Sequence, residues 1–229
     1  MDATDANSSN RRQFLIGAGA LLIAVGAGSA YYFWNREGLA IEIAPEGKTS
    51  TADLMAPGPL EEMSLGNPNA PVTIIEYASM TCPHCAHFAE TTYPELKTRY
   101  IDTGKVRFIF REFPLDQLAV AGSALARCAG KDKYFPLVET LFQQQRQWVT
   151  QKPLEPLQAI TRQAGMTQQT FDACLQDQKI IKGIEQTREI AAQKFGVNST
   201  PTLFINGKKY SGAMAIEDIE REIAPYLKS

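Results

Sequence analysis

Ser79 to Phe88 reads "SMTCPHCAHF" and holds both histidines of the chain and two of its four cysteines. Four chemistries use such a cluster. Covalent c-type haem attachment needs a histidine directly after the second cysteine, and that position is Ala86. A zinc site needs four ligands around a tetrahedron. Cys82, His84, Cys85 and His87 crowd a single helical turn, and the only other cysteines, Cys128 and Cys174, stand far away in sequence, so no metal is expected. A purely structural Cys82–Cys85 disulfide would close a loop too short to remove much unfolded-state entropy. A redox dithiol remains, and it needs surroundings that favour the thiolate, the form that attacks disulfides.

The flanking elements supply those surroundings. "VTIIEYAS", Val72 to Ser79, is a short, β-branched apolar run that predicts a buried strand. A helix is predicted to start at the motif, with Cys82 as N-cap, Pro83 in the first helical position, and His84 and Cys85 in the first turn. Unpaired N–H groups and the helix dipole then face the Cys82 sulfur and lower its pKa, with His84 adding to the effect. Cys85, three residues on and deeper, is expected to resolve what Cys82 attacks. A low Cys82 pKa stabilises the dithiol, so the corresponding disulfide is a strong oxidant. His87, two residues past Cys85, reads as a surface helix residue.

Phe88, Tyr93 and Leu96 continue an apolar helical face toward Tyr100, with a kink expected at Pro94. Gly104 to Phe113 alternates Val106, Phe108 and Phe110 with Arg107 and Arg111 and predicts a second strand. Residues 116–195 have helical spacing broken near Gly130, Pro153 and Gly165. Thr202 to Ile205, the Asn206-Gly207 pair and a strand through Tyr210 predict a hairpin, and Ile216 to Leu227 an amphipathic helix. The order is β-α-β, helical block, β-β-α: an α/β chain whose two ends form one sheet if it returns after the helices.

Composition, with 44% hydrophobic and 21% charged residues in 229, is that of a globular protein of one large or two small domains. With 23 Lys plus Arg against 25 Asp plus Glu and no basic stripe, nucleic acid is not an expected partner. Phe14 to Trp34 carries no charge and follows Arg11 and Arg12, so residues 1–35 read as an export signal or a membrane anchor, and the arginine pair resembles the twin-arginine export pattern. Gly28 and Ala30 would permit cleavage, while Tyr31 to Trp34 resemble an interfacial belt; both outcomes stay open. The arginines place the N-terminus in the cytoplasm and the remainder across the membrane. Residues 36–66, rich in proline and charge, read as a linker.

Strand, "CPHC" at a helix start, helical insertion and a later "TP" before a hairpin together resemble the DsbA-type thiol–disulfide oxidoreductases of the thioredoxin superfamily, over about Leu65 to Leu227. The resemblance implies a thioredoxin-like domain at 67–115 and 196–229 with an inserted helical domain at 116–195. It implies Cys82 as nucleophile, Cys85 as resolving thiol and His84 as tuning residue. Pro201 matches the cis-proline that lines the substrate groove. Glu76 matches a buried acid that helps proton transfer to the deeper cysteine; an ordinary strand-edge glutamate is the alternative. The resemblance further implies disulfide donation to thiol-containing substrate proteins and reoxidation by a membrane quinone-linked protein. It needs no cofactor, and it points to the periplasm or the outer face of the inner membrane. Thr200 departs from the valine of the best-studied oxidases and resembles isomerases and reductases, so an isomerase or reductase is one alternative. A non-enzymatic chaperone or peptide-binding module is another.

Cys128 and Cys174 lie 46 positions apart within the helical block. An even cysteine count in an oxidising compartment favours a disulfide, which would contribute roughly 4 kcal/mol on the chain-entropy estimate. Two buried free thiols are the alternative. By resemblance, such a bond is an addition found in some members of the group.

Overall fold

Strand β3 (Val72–Ala78) organises the fold. Six of its seven residues are buried, because it lies between β4 (Val106–Glu112), parallel to it, and β5 (Thr202–Ile205), antiparallel. A computed structural model describes residues 47–228; the export signal or membrane anchor expected at 1–35 and the linker expected before residue 47 lie outside them. The six-stranded sheet has the order β1-β6-β5-β3-β4-β2, with β1 at Gly47–Lys48, β2 at Met63–Leu65 and β6 at Lys208–Ser211. Val72, Ile74, Ala78, Phe108 and Phe110 pack into one core, and Ile75, Tyr77, Ile109 and Phe204 into a second. Burial on both faces is why β3 reads as a nearly unbroken apolar run rather than an alternation. Each large side chain removed from water there contributes about 1.5–3 kcal/mol.

The helices are α1 (Thr51–Leu54), α2 (Pro83–Thr91), α3 (Tyr93–Leu96), α4 (Gln117–Cys128), α5 (Lys131–Gln143), α6 (Gln145–Trp148), α7 (Leu154–Gln163), α8 (Gln168–Leu175), α9 (Gln178–Phe195) and α10 (Ile216–Ile223). Helices α4 to α9 stand between β4 and β5 in the chain. Gly130 and Gly165, both with φ near +87°, separate α4 from α5 and α7 from α8, conformations that glycine adopts without a Cβ penalty. α2 stops at Thr92, two residues before Pro94, and the chain resumes as α3 and a π-helical turn, Lys97–Ile101. Asn206 and Gly207 both have positive φ, as a two-residue hairpin turn requires.

Two stretches differ from the sequence reading. Residues 47–65, read as linker, belong to the folded body. β1 pairs with β6, β2 pairs with β4, and α1 buries Leu54 in the second core. Their backbone groups find partners at the two sheet edges, while their apolar residues, scattered among prolines, carry no period to betray them. The last helix ends at Ile223 and passes into a single 3-10 turn, Ala224–Tyr226, instead of running to Leu227; Pro225 has no N–H with which to continue the helical hydrogen-bond ladder. Among the described residues no helix is long and apolar enough to cross a membrane.

Candidate active site

The C-terminal end of β3 delivers the chain to a turn in which the Cys82 N–H bonds the Ser79 carbonyl at 3.1 Å. Cys82 is then the N-cap of α2 in extended conformation, with Pro83 opening the helix. Both cysteines are thiols and both are buried, Cys85 completely. The Thr200–Pro201 peptide bond is cis, and the Cys82 Sγ donates to the Thr200 carbonyl at 3.3 Å. Residues 118 positions apart thus share one surface.

The two sulfurs are driven apart electrostatically. A hydrogen bond from the Cys85 thiol is the main reason that Cys82 is lowered from the ordinary 9.0 to about 5; partial burial opposes it, and Thr200 and the backbone N–H groups of Cys85 and His84 assist. Cys85 is held well above its ordinary value, first by burial and then by the bond it donates to Cys82 and by the charge on Glu76. At neutral pH the outer sulfur is therefore a thiolate and the inner one a thiol, the division of labour that disulfide exchange needs.

His84 acts on Cys82 through its backbone N–H; its side chain is exposed on the first turn. His87 is exposed as well. Glu76 is not at a strand edge. It sits in the central strand, 3% exposed, and one carboxylate oxygen lacks a partner. Burial, and then the charge of Cys82, raise it to about 8.

The hydroxyl of Thr200 is buried with no hydrogen-bond partner. Once Cys82 has lost its proton it can no longer donate to the Thr200 carbonyl, and this hydroxyl is a donor at hand for the thiolate. A hydrogen bond to a charged group is worth about 1.5–3 kcal/mol. Thr200→Val, which keeps the shape and removes the donor, is accordingly expected to move the midpoint of Cys82 alkylation by iodoacetamide upward by about one pH unit. An unchanged midpoint would remove Thr200 from the site's electrostatics.

Several supporting residues carry no signal in the sequence. The buried amide of Gln145, at the start of α6, donates to the carbonyls of Met80 at 2.9 Å and Cys82 at 3.0 Å. The helical block thereby grips the active-site turn directly. Gly122 of α4 permits the same approach, since a Cβ there would meet the Trp148 ring at 3.1 Å and the Met80 Cβ at 3.3 Å. Ser79, Thr81 and Asp116 form a hydrogen-bonded chain, and Asp116 caps α4. Glu112, fully buried beside Ala78, receives Arg127 at 2.6 and 2.7 Å and the Tyr134 hydroxyl at 2.7 Å. Cys128 and Cys174 form a disulfide between α4 and α8, with Cα atoms 6.1 Å apart.

A parallel pair at the sheet centre, a cysteine-capped helix after β3 and a cis-proline before β5 define a thioredoxin-class architecture, and the thioredoxin family model matches residues 60–224. The crystal structure of Wolbachia pipientis alpha-DsbA1 superposes with a TM-score of 0.72 at 33% identity, covering 79% of this chain and 97% of that one. Disulfide bond formation protein D of Bacillus subtilis is 27% identical over 72% of this chain and 76% of its own. A Rickettsia bellii protein named, provisionally, a protein-disulfide oxidoreductase is 36% identical over 73% of this chain. The match spans 64% of that protein and as little as 54% of other rickettsial relatives. The chain belongs to the thioredoxin family, in its DsbA-type group.

Proposed function

We propose that this chain is an extracytoplasmic thiol–disulfide oxidoreductase that donates the Cys82–Cys85 disulfide to protein thiols. The observation that supports this most is the unequal pair, a thiolate-prone Cys82 held against the cis Thr200–Pro201 bond over a buried, proton-retaining Cys85. A substrate thiolate attacks the Cys82 sulfur, and the electron pair of the broken bond leaves on Cys85, which takes up a proton. The substrate's second thiolate then attacks the mixed disulfide, releasing the Cys82 thiolate and an oxidised substrate. Thr200 and Pro201 line the groove in which the substrate backbone lies. Reoxidation falls to a membrane quinone-linked protein, a partner drawn from the family resemblance. The same resemblance places the folded body in the periplasm or at the outer face of the inner membrane, tethered there if residues 1–35 are retained.

Because Cys82 is depressed, its thiolate stabilises the folded dithiol above the ordinary thiol range, and that stabilisation is lost as pH falls through about 5. At pH 7 roughly half of it is present, about 2 kcal/mol after allowing for solvent at the sulfur. Glu76, raised instead, costs stability with increasing pH, but it is buried in both redox states and largely cancels. The dithiol form is therefore expected to resist urea better than the disulfide form by about 2 kcal/mol at pH 7, and to lose that margin near pH 5. In glutathione buffers the pair is expected to equilibrate above about −200 mV. A potential near that of thioredoxin, about −270 mV, would favour the reductase reading that Thr200 suggests.

A further inference from the structure

The mechanism leaves one transfer without a route: the proton that Cys85 must take up and give back. Glu76 is the nearest buried acid, yet it is enclosed. A small cavity of about 20 Å³ lies against it, lined also by Ala89, Tyr93, Phe108, Phe110, Phe135, Val138, Phe142 and Glu139. That volume holds about one water molecule. Two of the lining residues carry buried polar atoms without a well-formed hydrogen bond, Glu76 Oε1 and the Tyr93 hydroxyl, which faces the Glu139 carboxylate. Apolar cavities of this size stay dry, whereas one with polar groups left unsatisfied favours a bridging water. Of the lining residues, Ala89 on α2 and Glu139 on α5 are half-buried and the others are buried, so the cavity meets solvent between them.

We infer that Tyr93 and Glu139 form the proton exit of the dithiol, joining Glu76 to solvent through one water held in this cavity. The inference rests on the oxidoreductase reading above. When the pair is oxidised, the Glu76 carboxyl, which burial keeps protonated at pH 6, passes its own proton through the water to Glu139 and out as it takes up the Cys85 proton. The Cys85 thiolate attacks the Cys82 sulfur of the mixed disulfide, a Cys82–Cys85 bond forms, and the electron pair of the broken bond leaves on the partner's sulfur. When the pair is reduced, the proton travels inward. Tyr93 only orients the water: its phenol stays protonated, held well above its ordinary pKa by burial and by the charges of Glu139 and Glu76. The groups facing Glu76 are Cys82 and Cys85 from α2, Tyr93 from α3, and Tyr134 and Glu139 from α5.

The test mixes the reduced full chain with oxidised glutathione, quenches in acid, and follows protein-bound glutathione by mass spectrometry. Its appearance reports attack by Cys82, and its loss reports attack by Cys85. Tyr93→Phe and Glu139→Gln are expected to slow the loss about tenfold at pH 6 and to leave both the appearance and the iodoacetamide reactivity of Cys82 unchanged. Ala89→Val, which fills the cavity without touching a titratable group, is expected to do the same. Unchanged appearance kinetics also show that each variant is folded. If Glu76→Gln slows the loss while all three of the others match the unaltered protein, the exit is elsewhere and this inference is overturned, with the oxidoreductase reading intact. If the unaltered chain itself never releases glutathione, Cys85 does not resolve, and it is the oxidoreductase reading that fails.

Discussion

Cys82→Ala is expected to abolish oxidation of a reduced, unfolded substrate protein, lowering the rate at least about a thousandfold to the uncatalysed background. Cys85→Ala is expected to behave differently: mixed with oxidised glutathione, its Cys82 thiolate displaces one glutathione and keeps the other in a mixed disulfide that persists. The contrast follows from the two environments. Cys82 sits at the helix start, 4% exposed, where the Cys85 thiol, the Thr200 side chain and the His84 and Cys85 N–H groups stabilise its thiolate. Cys85 is fully buried beneath it, hydrogen-bonded to the Cys82 sulfur and to the Ser79 backbone. Removing Cys82 removes the electrophile and nucleophile of both half-reactions. Removing Cys85 leaves a competent Cys82 with nothing inside the protein to expel a bound partner. Loss of substrate thiols for the first variant and protein-bound glutathione for the second measure the two outcomes. Equal loss in both variants with no adduct would invert or dissolve the assigned order, and undiminished function with both cysteines replaced would leave only a binding role.

The second large effect is on stability. Arg127→Met is expected to destabilise the protein by about 3–5 kcal/mol, read from urea unfolding, because it strands the fully buried Glu112 carboxylate with only the Tyr134 hydroxyl. Arg127 meets both carboxylate oxygens of Glu112 and lies over the Tyr134 ring at 5.8 Å. Replacing both members, Arg127→Met with Glu112→Leu, should recover most of the loss, since an apolar pair of similar volume avoids the desolvation penalty that the ion pair has to offset. A loss below about 1 kcal/mol for Arg127→Met alone would show that water reaches Glu112. The position gives the pair its functional weight: Glu112 is in register with Ala78, directly before the turn that carries Cys82. Arg127 in turn precedes Cys128, so the disulfide to Cys174 anchors the helix end from which the guanidinium reaches.

The dithiol itself was legible in the sequence because everything that makes it is local. A β-branched run, a residue suited to capping, proline in the first helical turn and a three-residue spacing between cysteines each act within a few positions. The chain's return to the sheet was legible for a similar reason, in the Asn206-Gly207 turn between two apolar runs. The edge strands at Gly47 and Met63 were not, because an edge needs only backbone partners and one or two apolar contacts. Nor does the run "QQQRQ" disclose that Gln145, among its neighbours, is the one turned inward to hold the carbonyls of Met80 and Cys82.

By itself, then, the sequence determined which residues could do chemistry and the family to which they point. Tertiary structure decided the environment that makes the chemistry run. It places the Thr200 carbonyl 3.3 Å from the Cys82 sulfur. It seals Glu76 in the central strand instead of leaving it at an edge, gives the tuning role of His84 to its backbone, and sets Tyr93 and Glu139 around a cavity beside Glu76. The reason is one of range. Capping and periodicity are fixed by neighbours in the chain, whereas burial and hydrogen-bond donors at a sulfur are fixed by segments that meet only when the sheet closes.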